Sequence, residues 1–102
     1  MDQQFRKGAL ELCVLSLLKK GDAYGYMLTE TISEQMSVTA GTLYLILKRL
    51  KDSKYVDTYL VESSSGPARK YYRLTELGRT YQETQKAEWL QFTEKVRNLI
   101  NE

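Results

Sequence analysis

The sequence predicts a mainly α-helical chain carrying one two-stranded β-hairpin, in the order helix, helix, helix, strand, strand, helix. Three observations predict it. Leu43, Ile46, Leu47 and Leu50 recur at the i, i+3, i+4, i+7 spacing that holds one face of a helix on a core. Over residues 55–62 the period drops to 2, with Val56, Thr58 and Leu60 alternating against Tyr55, Asp57 and Tyr59 in a run rich in strand-forming residues. Helical spacing returns after Thr75-Glu76-Leu77-Gly78 and runs to the end of the chain.

Residues 5–20 read as the first helix. Its apolar positions (Phe5, Ala9, Leu10, Leu12, Cys13, Val14, Leu15, Leu17 and Leu18) cover most of the circumference. A helix apolar nearly all round is buried on several sides, so it is expected to pack on its own domain and on a second subunit as well. Cys13 in that setting reads as a small core hydrophobe rather than a reactive thiol. Arg6 and Lys7 at the start read as a solvated terminus, with a contact to a DNA phosphate as the other reading.

Gly21-Asp22 gives a turn with Gly21 as helix C-cap. Residues 24–35 form the second helix, with Tyr24, Met27, Leu28 and Ile32 expected inward. Gly25 between two tyrosines weakens a helix, so it is expected to allow close packing against a neighbour. After a tight connection at 35–37, the third helix occupies 38–50, with Thr39 as N-cap. Its outer face carries Gly41, Leu45 and Lys48, flanked by Thr42, Tyr44 and Arg49. A bare backbone, hydroxyls and cations there can approach a phosphate or a base edge; the other reading is a solvated face whose charges serve solubility. Two helices joined by a short turn, the second amphipathic, make a helix-turn-helix.

Asp52-Ser53-Lys54 ends the third helix. Residues 63–68, S-S-S-G-P-A, are expected to form the flexible tip between the strand at 55–62 and a second at 69–74. A hairpin directly after a helix-turn-helix is a wing, and the fold class is therefore a winged helix-turn-helix. Arg69 and Lys70 border the tip, placed to lie on phosphates or enter a minor groove; a hairpin with incidental charges is the alternative. In the last helix Thr75 is the expected N-cap. Trp89, Phe92, Val96 and Leu99 follow at spacings of 3, 4 and 3, the seam of a helix lying along another. We expect dimerisation through this helix and the first one, with folding back on its own domain as the alternative. The division is a DNA-binding unit at 1–74 and a dimerisation helix at 75–102.

Composition agrees with this reading. The chain has 102 residues and a net charge of only +2, yet residues 31–75 hold seven basic against four acidic side chains. That local excess is the footprint of a small DNA reader. No apolar run reaches bilayer length and the N-terminus lacks signal-peptide order, so a cytoplasmic protein is expected. The single cysteine suits a reducing compartment. An enzyme is disfavoured: there is no histidine, and no phosphate loop, nucleophile elbow or paired-cysteine motif. We expect no catalytic residue, metal or cofactor.

The motifs resemble those of the PadR family of bacterial transcriptional regulators. The first helix matches as Gly8, Leu10, Glu11, Val14, Leu15, Leu17 and Leu18, one residue short after Glu11. Tyr24-Gly25-Tyr26 follows in the second helix and Gly41-Thr42-Leu43-Tyr44 in the third, with Leu47, Arg49 and Leu50 spaced behind it. The wing carries Gly66-Pro67-Ala68-Arg69-Lys70-Tyr71-Tyr72, and Leu74-Thr75-Glu76-Leu77-Gly78 closes a match over about residues 8–78. The resemblance implies a winged helix-turn-helix homodimer, usually a repressor, joined through its C-terminal helix. Carried onto this chain, Thr42, Tyr44 and Lys48 would face double-stranded DNA, with Thr39 and Arg49 as further candidates. Gly66, Arg69 and Lys70 would make the wing contact. Many members have proline directly after the tyrosine where this chain has Leu45, which either meets a thymine methyl or is simply exposed; the departure bears on operator sequence. The chain resembles the short branch, some of whose members hold flat aromatic or drug-like molecules at the dimer interface against a tryptophan of the last helix. Trp89 is similar in placement, with Phe92, Leu12 and Leu15 as candidate neighbours; the alternative is that Trp89 only packs the interface. A ligand there would act by changing dimer geometry and hence the spacing of the recognition helices. The rival to DNA binding is a winged helix used only for protein contacts. Charge reversal at Lys48 and Arg69 separates the two, because only a DNA binder loses affinity and salt dependence with those charges.

Overall fold

The computed structural model describes residues 3–101, with side chains from Arg6 onward. Phe5, counted above among the apolar positions, therefore has its side chain outside the described residues. The elements are α1 (Gln3–Lys20), β1 (Ala23–Tyr24), α2 (Gly25–Ser33), α3 (Ala40–Asp52), β2 (Val56–Ser63), β3 (Gly66–Leu74) and α4 (Glu76–Ile100). A three-stranded antiparallel sheet in the order β1-β3-β2 closes one side of the helices.

The core is built where the periodicity put it. Leu43, Ile46, Leu47 and Leu50 of α3 pack with Leu10, Val14, Leu15 and Leu18 of α1, Leu28 and Ile32 of α2, and Val56, Tyr72 and Leu74 of the sheet. Cys13 and Leu17 lie half-buried against this cluster, and burial pushes the Cys13 thiol up, away from the reactive thiolate. Met27, expected inward, is 42% exposed. α2 is shorter than expected at both ends, and at about 100° per residue its buried face is Gly25, Leu28 and Ile32, with Met27 on the other side.

Tyr24 belongs to β1, not to the second helix. Ala23 pairs with Tyr72 and Tyr24 with Tyr71, a ladder two residues long. The wing is also tighter than the S-S-S-G-P-A stretch suggests. Ser63 pairs with Gly66, leaving only Ser64 and Ser65 at the tip, and Pro67 and Ala68 are strand residues. Gly21 does follow α1, its N–H bonding the Leu18 carbonyl at 3.2 Å, but not in the left-handed conformation of a glycine cap. That conformation falls to Lys54 (φ 66°) at the end of α3, where Lys54 N–H bonds the Lys51 carbonyl and Tyr55 N–H the Leu50 carbonyl.

α4 starts inside the domain. Thr75 Oγ1 accepts from Gly78 N–H at 2.9 Å and donates to the Lys54 carbonyl at 2.7 Å. Tyr81 stacks on Tyr55 with ring centroids 4.0 Å apart, and the buried Gln82 amide donates to Ser16 Oγ at 3.0 Å. Lys19 and Glu83 add an ion pair at 3.7 Å. The first turns of α4 thus share one packing unit with residues before 75. Further along, Phe92 is 51% exposed, Leu99 85% and Val96 36%, so this half does not fold back on the domain. The extents of 57 × 28 × 21 Å reflect a helix running well past its own core. Among the described residues no helix is long and apolar enough to cross a membrane.

Candidate nucleic-acid interface

α3 presents the side chains singled out in the sequence. Its N-cap is Thr39, whose hydroxyl accepts from Thr42 N–H at 3.2 Å and donates to Thr42 Oγ1 at 3.0 Å. Both hydrogen-bonding roles of Thr39 are thereby used within the chain. Thr42, accepting from Thr39, keeps its own O–H free to donate outward. Thr42, Tyr44, Leu45 and Lys48 are all exposed, Leu45 at 63%. Lys48 bonds Asp52 at 3.1 Å in an exposed i,i+4 pair that contributes little to stability and yields easily to a competing anion.

Arg49 differs from its neighbours. Its guanidinium bonds the Glu11 carboxylate of α1 at 2.8 Å, on the flank of α3 rather than the crest. Burial pushes the Glu11 carboxyl up from its ordinary value.

The wing meets α3 through an aromatic cleft of about 320 Å³, where Tyr44 of α3 and Arg69 and Lys70 of β3 line one space with Tyr24, Gly25 and Tyr72. The two cations follow one another on a strand and so leave it on opposite faces. Arg69 lies over the Tyr24 ring, 4.8 Å from its centroid, a cation–π contact that restricts the guanidinium. On that face Tyr24, Tyr71 and Tyr59 stand side by side across the sheet, with centroid separations of 5.5 and 5.7 Å. Tyr59 donates to Asp22 at 2.6 Å, and Arg73 pairs with Asp57 at 3.0 Å. Gly66 lies apart at the wing tip, three residues up the strand from Arg69, or about 10 Å.

Gly25 explains the position of Tyr44. A Cβ at residue 25 would lie 2.6 Å from both Cε1 and Oη of Tyr44. The expected close packing is therefore against a residue of the candidate interface itself. Gly25→Ala is expected to leave the melting temperature nearly unchanged, because the obstructing group is the movable end of a side chain and alanine favours the helix. It should still weaken DNA binding by displacing the Tyr44 ring, which a binding titration beside a thermal melt measures.

Sequence reasoning missed Tyr24 and Tyr72 as cleft residues. Their signal was available in Y-G-Y and K-Y-Y, aromatics interleaved with a basic residue, but nothing in the spacing showed that the two motifs meet. Of the other candidates, Trp89 is half-buried on α4 and Leu12 half-buried on α1. Leu15, expected beside them, has no exposed surface and belongs wholly to the core, so a molecule bound outside cannot touch it.

The family model described as the transcriptional regulator PadR-like family matches residues 14–84, from α1 through the wing into α4. The chain belongs to the PadR-like family. A PadR-like transcription factor from Bacteroides fragilis is 39% identical, with 94% of each chain covered and a TM-score of 0.81. A PadR-like transcriptional regulator from Bacillus cereus is 33% identical over 98% of this chain and 99% of that one, with a TM-score of 0.88. A PadR family transcription regulator from Clostridium difficile is 37% identical, covers 88% and 95%, and has a TM-score of 0.78. An uncharacterised protein from Lysinibacillus sphaericus is 33% identical over 94 residues, 88% of this chain and 86% of its own. The PadR-like chain is a transcriptional regulator and not an enzyme, and its winged-helix architecture is the one its relatives share.

Proposed function

We propose that this PadR-like chain is a sequence-specific DNA-binding regulator, acting in the cytoplasm as a homodimeric repressor on an inverted-repeat operator. The observation that carries the reading is the convergence of Tyr44 from α3 with Arg69 and Lys70 from the wing on one cleft. A helix face with a free hydroxyl, an apolar side chain and a loosely held lysine suits a major groove, and two wing cations, one on each face of β3, suit the flanking phosphates. The dimer half of the reading is supported by Phe92, Val96 and Leu99, apolar positions that the chain leaves exposed along α4. A palindromic operator needs two recognition helices about one helical turn apart, which a two-fold dimer supplies. Release by a small planar aromatic molecule is supported by Trp89, half-buried on α4 about one turn before the exposed Phe92.

The test is selection of genomic fragments by the purified protein beside a Tyr44→Ala/Arg69→Ala variant. Enrichment of a few fragments sharing an inverted repeat, absent with the variant, is the expected result. Equal behaviour of the two proteins would instead favour a winged helix used for protein contacts. Repeating the selection with Trp89→Ala and a planar aromatic compound present tests release, since only wild type should lose its fragments.

A further inference from the structure

A second groove lies between the start of α1 and the start of α3, enclosing about 470 Å³. Val38 and Leu45 supply its accessible apolar surface, above the buried core side chains Leu10 and Ile46. Its rim is cationic: Arg6 and Lys7 come from α1 and Arg49 from α3. No carboxylate among the described residues lines it. Glu11, on the next turn of α1, is bonded to Arg49 at 2.8 Å. That pair offsets one charge against the other and fixes one edge of the guanidinium, while the remaining N–H groups of Arg49 stay available as donors. Thr42 and Leu45 line this groove and also belong to the outer face of α3. The groove therefore opens onto the candidate interface rather than standing apart from it.

We infer that this groove seats the sugar–phosphate strand flanking the bases that α3 faces, with Arg6, Lys7 and Arg49 holding its phosphates. A nucleic-acid backbone alternates an anionic group with a sugar whose C–H edges are apolar, and the groove offers both surfaces in one place. A free inorganic anion has no use for the apolar surface of Val38 and Leu45, and a purely apolar molecule has none for the basic rim. Arg6 and Lys7 are thus part of the binding surface, not a solvated terminus. Glu11 is a positioning residue acting through Arg49. The inference rests on the proposed DNA binding and widens its footprint beyond α3 and the wing.

Arg6→Gln/Lys7→Gln tests it, since both side chains are exposed and their removal leaves the core intact. The probes are the duplex recovered by genomic selection and an unrelated duplex of equal length. The variant is expected to bind both roughly tenfold more weakly, with the preference between them unchanged. The slope of log affinity against log salt should become shallower by about 0.9 for each phosphate that is no longer neutralised. Ethylation of phosphates outside the recognised bases should block wild type and not the variant. Unchanged affinity and slope would overturn the inference, as would a vanished preference, which would make these residues base readers. Failure of wild type to prefer any duplex would instead overturn the proposed function.

Discussion

Replacing Phe92 and Leu99 together with glutamate is expected to yield a monomer that no longer holds an inverted repeat. Both side chains are more than half exposed on α4, Phe92 at 51% and Leu99 at 85%. Each large apolar side chain withdrawn from water stabilises an association by about 1.5–3 kcal/mol, and a two-fold contact buries each position twice. Losing at least ~4 kcal/mol weakens the dimer roughly a thousandfold, and four new carboxylates at the seam repel one another. Sedimentation at micromolar concentration should show a single chain with undiminished helix content. Operator affinity should fall with the dimer, because each half-site is then bound alone. A variant that remains a dimer would place the self-association surface elsewhere.

Gly78→Ala is expected to be the most destabilising single-methyl change in the chain. In an open helix this substitution gains about 1 kcal/mol. Here a Cβ would run into the Tyr55 carbonyl oxygen and lie 2.9 Å from Leu74 Cδ1. The obstruction includes backbone, and that backbone is fixed: the Tyr55 carbonyl accepts Thr75 N–H at 3.1 Å, and Tyr55 N–H bonds Leu50. Relief would require α4 to lift from the corner where α3 meets β2, breaking the Thr75 cap and the Tyr55–Tyr81 stack. Overpacking of this kind costs about 1–3 kcal/mol, a fall in melting temperature of roughly 4–20 °C for a domain this size. An unchanged melt would mean that α4 does not seat there. The contrast with Gly25 is informative, because there the obstruction is a side-chain ring and the loss is expected in binding instead.

The parts of the fold legible in the sequence are those governed by local spacing. The four inward leucine and isoleucine positions of α3, its Thr39 cap and the Thr75 cap of α4 all follow from residues within one or two turns. β1 was not legible because two residues carry no period; Ala23 and Tyr24 are extended only because β3 lies beside them. The expected wing tip is too long because small residues and a proline resemble a loop, whereas Pro67 and Ala68 continue β3 beside β2 almost to the turn. For the candidate site, the outer face of α3 and the wing cations were legible as residue types. Their meeting was not. The Glu11–Arg49 bond spans 38 positions, and the approach of Tyr44 to Gly25 depends on how α2 and α3 cross. Contacts of that kind are set by tertiary packing and leave no trace in periodicity.

If two copies of this chain read DNA symmetrically through α3 and the wing, hydroxyl-radical footprinting on a selected operator shows it most directly. Two equivalent protected patches related by a two-fold axis are predicted, centred about one helical turn or 34–36 Å apart on one face of the duplex. A single asymmetric patch, or protection spread evenly along the duplex at every sequence, would contradict symmetric reading.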